Sequence, residues 1–171
     1  METVGSVLIL HELYEQVETA VYENHPKHAR RVMLAIGDWP IGHSRSMNTF
    51  GSVRLSKDPK RRILKMSSFA MSSAAYNDTL LHEVAHIIAW MVADDRSHGY
   101  FWKFVASSIG ATPHRLGHDI KFEESVAAHR VSKTKLVAKC SDCGQTWYRQ
   151  RSLKKARSYH CPDCNGNVIK Y

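Results

Sequence analysis

With 171 residues and 43% hydrophobic content, the chain can bury one good core plus a small appended module. No apolar stretch approaches the roughly 20 residues of a membrane span. The formal charge of +8 is unevenly carried: residues 1–129 hold 14 Lys plus Arg against 14 Asp plus Glu, and residues 130–171 hold 10 against 2.

In chain order, Leu8, Leu10, Leu13, Tyr14, Val17, Ala20 and Val21 fit one amphipathic helix closing around Glu23 to Pro26. The N-terminus has no basic n-region, and its apolar run is only Val7 to Leu10, so no secretory signal is read there. The expected setting is intracellular, cytoplasmic or nucleoid/nuclear, with no membrane partner. Short strands are predicted at Val32–Ile36, Ser52–Leu55 and Arg62–Met66, with Gly and Pro punctuation around Asp38 to Gly42 and Lys57 to Pro59. Strands of this kind beside a metal helix offer an edge with which an extended peptide can pair.

The segment Thr79 to Ala93 lacks Gly and Pro and carries apolar residues at 81, 84, 85, 88 and 92, which predicts a largely buried helix. Asn77, Asp78 and Thr79 supply its N-cap candidates, and Asp94 to Ser97 break the apolar pattern after it. Within it, His82-Glu83-Val84-Ala85-His86 places two imidazoles one turn apart with a carboxylate between them. Both His side chains leave one face of the helix, close enough to hold one metal ion. Such an ion acidifies water, and Glu83 is the general base that takes the proton and returns it to a leaving amine. Burying three polar side chains on an apolar helix is costly unless they are satisfied, and a metal satisfies them.

A catalytic zinc commonly takes three protein ligands and keeps one open position. His98 is the expected third. From His86 the helix climbs about 10 Å to Ala93, and the five steps on to His98 span up to about 16 Å, so the chain can return to the metal. Asp94, His114, His118 and Glu123 are the rivals for that position. A second apolar helix follows from Tyr100 to near Gly110, Pro113 to Ala128 read as loop and a short helix, and Arg130 to Lys135 as the join to the final segment. Tyr76, Tyr100 and His118 are candidates for stabilising a tetrahedral oxyanion.

Cys140-Ser141-Asp142-Cys143 and Cys161-Pro162-Asp163-Cys164 are two Cys-x-x-Cys pairs separated by residues 144–160. That spacing is a structural zinc signature, each pair forming a knuckle whose thiolates grip one side of a tetrahedral ion. Gly144 and Asn165-Gly166 fall where such turns need positive φ. Between the knuckles crowd Arg149, Arg151, Lys154, Lys155 and Arg157, flanked by Trp147, Tyr148 and Tyr159. Cations that reach phosphates, interleaved with rings that stack on bases, predict a nucleic-acid surface.

The run His82-Glu83-Val84-Ala85-His86, then His98-Gly99-Tyr100-Phe101-Trp102, then a four-cysteine ribbon, resembles the SprT-like zinc metalloproteases. Thr49-Phe50-Gly51-Ser52-Val53-Arg54 is similar to that family's segment ahead of the metal helix. The resemblance implies an α+β fold. A minigluzincin-like protease domain of helices plus a small antiparallel sheet would occupy residues 1–130, and a zinc ribbon residues 131–171. It implies two zinc ions, one catalytic on His82, His86 and His98 with Glu83 as base, one structural on Cys140, Cys143, Cys161 and Cys164. It also implies a setting on DNA, single-stranded or distorted, with DNA-bound proteins as substrates.

Overall fold

The computed structural model describes residues 2–113, 119–155 and 157–171, and the chain divides into two compact units, Met1–Phe122 and Glu123–Tyr171. The fold is mixed α+β. In the first unit, α1 (Val4–Leu10), α2 (Tyr14–Asn24) and α3 (Ala29–Asp38) precede a small sheet, which is followed by α4 (Ser73–Ala93) and α5 (Tyr100–Ser108).

The expected single N-terminal helix is two. Glu12 adopts φ 58, and the chain turns between α1 and α2 at that residue. α1 starts on a reciprocal cap, the Thr3 side chain accepting from Ser6 N–H while the Ser6 hydroxyl accepts from Thr3 N–H. The strand expected at Val32–Ile36 is instead the middle of α3. Ala29, Val32, Met33 and Ile36 are its buried residues, the spacing of a helical stripe, while Leu34 in the middle of the apolar run is 62% exposed.

The sheet has three strands in the order β1 (Ile41–Ser44), β3 (Ile63–Ser67), β2 (Gly51–Arg54). β2 and β3 match the strands expected at Ser52–Leu55 and Arg62–Met66 within a residue or two. β1 falls where punctuation was expected, and it runs parallel to β3, pairing Ile41 with Leu64 and Ser44 with Ser67. β2 is antiparallel to β3, pairing Gly51 with Met66 and Arg54 with Ile63. The sheet is thus mixed rather than antiparallel, with β2 as one edge.

α4 is the axis of the unit. Its 21 residues span about 31 Å. Its start lies six residues before Thr79: Ser72 is the N-cap, its hydroxyl accepting from Ala75 N–H, and the Asp119 carboxylate in turn accepts from Ser72 N–H and Oγ–H. Asn77 and Asp78 serve elsewhere, Asn77 against the His11 ring and Asp78 accepting from Thr112 N–H at 2.6 Å. From Thr79 to Trp90 all but His82 are buried, against a core that includes Leu8, Ile36, Trp39, Leu64 and Met66. Asp94 ends the helix in the left-handed region, φ 53. Among the described residues no helix is long and apolar enough to cross a membrane.

The last helix, α6 (Ile120–Ser132), is longer than the short helix expected there and runs three residues into the expected join at Arg130 to Lys135. In the second unit, β4 (Lys135–Cys140) is the central strand of an antiparallel sheet, with β5 (Thr146–Arg149) on one side and β6 (Val168–Lys170) on the other. The knuckle turns use positive φ at Gly144 (79°) and Asn165 (58°).

Candidate metal centre

Two turns of α4 present His82 and His86, and the loop after α4 brings His98 to them. His98 Nε2 lies 3.0 Å from His82 Nε2 and 3.1 Å from His86 Nε2. One Nε2 carries either a single proton or a lone pair, so the His98 nitrogen cannot satisfy both neighbours by hydrogen bonding. A cation that accepts three lone pairs can. For a tetrahedral ion with bonds of about 2.0–2.1 Å, the edge between two nitrogens is about 3.3 Å, close to what is seen. Burial, and after it His98 and then His82, brings His86 down to about 4. His82 is lowered by burial first and then by His98. Both rings are therefore neutral at pH 7, with lone pairs to give. The residues present fit a zinc-like ion.

Of the rivals to His98, Asp94 faces Arg96 at 3.5 Å and is not part of the histidine cluster among the described residues, and Glu123 belongs to the second unit. His114 and His118 lie outside the described residues.

The loop is held by a residue that the spacing argument did not single out. The Asp95 carboxylate accepts from Ser97 N–H at 2.8 Å, from Ser97 Oγ–H at 2.7 Å and from the backbone N–H of Trp102. Asp95 thereby caps the first turn of α5 while closing the turn that carries His98. The Asp95-x-Ser97 pattern before a helix was the available signal. Trp102 is the other omission. Fully buried, its ring lies 4.6, 5.1 and 4.5 Å from the rings of His82, His86 and His98, a common floor beneath the three imidazoles. Sequence showed it only as one apolar residue of a helix.

Glu83 is 7% exposed, and burial pushes its carboxyl up to about 7 against the opposing backbone N–H of Val53 on β2. β2 comes this close to α4 because Gly51 has no side chain: a Cβ there would meet Thr79 Cγ2 at 2.7 Å and Glu83 Cγ at 3.2 Å. Of the oxyanion candidates, Tyr100 is 89% exposed and Tyr76 stacks on the His11 ring at 4.8 Å. His118 is outside the described residues.

In the second unit the four cysteine sulfurs converge, with Cys140 Sγ 3.5 Å from Cys164 Sγ and Cys143 Sγ 3.6 Å from Cys161 Sγ. These are far longer than the ~2.05 Å of a disulfide and near the ~3.8 Å edge of a tetrahedron with zinc–sulfur bonds of about 2.3 Å. The Cys143 backbone N–H is the main influence holding the Cys140 thiol down at about 7, while the Cys143 and Cys164 thiols are raised, so of these three sulfurs Cys140 gives up its proton most readily.

The basic loop is brought together in part. Arg149, Arg151, Lys154, Arg157 and Tyr159 line a basin of about 300 Å3. Lys155 is exposed outside it, its carbonyl accepting from Lys170 Nζ at 2.8 Å. Lys170 also stands 5.8 Å over the Tyr159 ring, a cation that sequence placed elsewhere. Trp147 and Tyr148 lie on β5 opposite Ala138 and Leu136, Tyr148 being 62% exposed.

The SprT-like family model matches residues 10–132, a span that includes the three histidines and Glu83 and ends before Cys140. Protein SprT of Pseudomonas putida (strain W619) is 26% identical over 98 residues, covering 53% of this chain and 56% of that protein. The chain thus spans about half the length of the curated relative it matches. No solved structure matches it.

Proposed function

The chain belongs to the SprT-like family, and from that premise we propose that it is a zinc-dependent endopeptidase directed by DNA to the proteins bound or crosslinked there. The observation that carries the hydrolytic part is the convergence of three imidazole nitrogens, two of them from α4, beside a buried carboxylate on that helix.

His82, His86 and His98 would hold the ion, which would supply Lewis acidity toward water and a peptide carbonyl. Glu83 does the proton work. Buried one residue from His82 on α4, its carboxylate is placed to accept a proton at one Oε from the attacking water and to return it to the departing amine. Val53 N–H holds that carboxylate from β2, the sheet edge, so an extended substrate adding to β2 would run beside Glu83. Trp102 fixes the three rings from below, and Asp95 fixes the loop that delivers His98.

The DNA part is supported by the charge segregation onto residues 130–171 and by the basin of four cations there. A protease that clears varied proteins gains little from deep side-chain pockets. Tethering on one strand instead raises the local concentration of whatever protein shares it. The cysteine cluster, with its four sulfurs, would hold a structural zinc ion that folds this unit.

The test is cleavage of a DNA-binding protein, and self-cleavage, with and without single-stranded DNA, by wild type and Glu83→Gln. Cleavage by wild type that requires DNA and falls with salt supports the whole reading. Cleavage indifferent to DNA removes the DNA part and leaves a protease for a particular partner. DNA binding with no Glu83-dependent cleavage removes the protease part.

A further inference from the structure

At the C-terminal end of α4 a cavity of about 670 Å3 opens between α3, the connection from β2 to β3, and the last turn of α4. Arg31, Lys57, Arg62 and Asp94 line it, over a floor that includes Ala35, Met91 and Val92. None of the three cations has a carboxylate within ion-pair distance among the described residues. Asp94 shares the cavity but faces Arg96 at 3.5 Å, and Asp58, next to Lys57 in sequence, faces Arg61 at 3.5 Å.

Arg62 is already held in place. Its Nε–H donates to Ser56 O at 2.8 Å, and its guanidinium lies 5.1 Å from the Trp39 ring and 5.5 Å from the Trp90 ring. A guanidinium fixed on two indoles loses little entropy when it meets an anion. Arg31 has an evident structural duty, since one amino group donates to the Met91 carbonyl at the negative end of α4. Helix capping accounts for that nitrogen alone, and it gives no reason for Lys57 and Arg62 to stand at the same cavity. Three cations at one cavity are what a phosphate dianion requires, and the volume with its apolar floor matches a nucleotide-sized ligand.

We propose that this cavity is a binding site for a phosphate group carried on a nucleotide-sized ligand, held by Arg31, Lys57 and Arg62. The phosphate belongs either to a free nucleotide or to one residue of a nucleic-acid strand. The site shares no residue with the histidine triad or with the basin of the second unit, so it stands whether or not the protease reading does.

The probes are dAMP, deoxyadenosine and a single-stranded oligo(dT), titrated calorimetrically into the full zinc-loaded chain. dAMP is expected to bind at least 10-fold more tightly than deoxyadenosine, with an affinity that falls as salt rises. The double variant Arg31→Gln, Lys57→Gln alters two exposed side chains and is expected to weaken dAMP at least 10-fold with an unchanged circular dichroism spectrum. Arg62→Lys keeps the charge but gives up the stacked fork, and is expected to show an intermediate loss. Displacement of dAMP by oligo(dT) identifies a strand as the source of the phosphate, and failure to displace it identifies a free nucleotide. Absence of heat with dAMP, equal binding of dAMP and deoxyadenosine, or undiminished dAMP binding by the folded double variant overturns the proposal.

Discussion

Replacing Gly51 with alanine puts a methyl carbon 2.7 Å from Thr79 Cγ2, 3.2 Å from Glu83 Cγ and 3.4 Å from Glu83 Oε1. Carbon atoms in contact sit about 3.5–4.0 Å apart, so the first approach overlaps by about 1 Å. Thr79 is buried on α4 and, being β-branched, has few rotamers with which to move aside. Overpacking of this kind costs about 1–3 kcal/mol, which for a chain of this length lowers Tm by about 2–12 °C. Relief comes by lifting β2 from α4, and that takes the Val53 N–H away from Glu83. Displacing a catalytic group by about 1 Å costs about 100-fold in rate. The assay is a melting curve at fixed zinc together with kcat on a fluorogenic protein substrate. Thr79→Ser removes the methyl that clashes, so the double variant Gly51→Ala, Thr79→Ser is expected to regain most of the lost stability. It should remain slower than wild type, because the 3.2 Å approach to Glu83 persists. Equal Tm and kcat for wild type and Gly51→Ala would refute this reasoning, as would losses that simply add in the double variant.

Trp102→Phe keeps an apolar ring under the imidazoles but shortens the floor, and is expected to weaken zinc binding at the histidine site about 10-fold, read by competition with a chelating dye. Wild type and Glu83→Gln are expected to release two zinc equivalents on denaturation, and Cys161→Ser one, with loss of the β4–β5–β6 sheet seen by amide exchange. Asp119 titrates below its usual 3.8, chiefly through the Ser72 hydroxyl, so its contribution is complete above that unfolded value and lost as pH falls through the lower folded one. Urea unfolding should therefore show Asp119→Asn less stable than wild type by roughly 1–2 kcal/mol from pH 5 to 7, with the gap closing below pH 3.8.

What sequence made legible was whatever obeyed a short, fixed spacing. His82 and His86 at one helical turn, the two Cys-x-x-Cys pairs and the α5 start after Gly99 are all local patterns, and the structure brings the three histidines together and the four cysteines together. Reach alone allowed His98 among several ligands, since distance along a chain bounds a position without choosing it. The misread element is instructive. Val32 to Ile36 is a continuous apolar run of strand length, and only the preceding Ala29 and the exposed Leu34 betray the helical stripe. The N-cap of α4 was misplaced because Asn77, Asp78 and Thr79 resemble caps, while Ser72 acquires its role with Asp119, 47 residues away. The Trp102 floor and the close approach at Gly51 are likewise products of packing between segments, for which no local pattern exists. β1 was hidden for a related reason: a parallel strand pairs at a distance, and its neighbours Pro40 and Gly42 read as a turn.

α4 carries His82, Glu83 and His86 and is also the central beam of its unit, and most of its buried surface is made by other residues. Leu80, Leu81, Ile87 and Ile88 pack whether or not an ion is held, so the histidines and Glu83 are set into a support that does not depend on them. A descendant that lost Glu83 or His98 would still fold and could be retained as a scaffold or a decoy. A descendant that lost one knuckle cysteine would forfeit the small sheet with it. Evolution can therefore silence the first centre while conserving the protein, but it cannot do the same at the second, and inactive relatives should be recognisable by four intact cysteines beside a broken histidine triad.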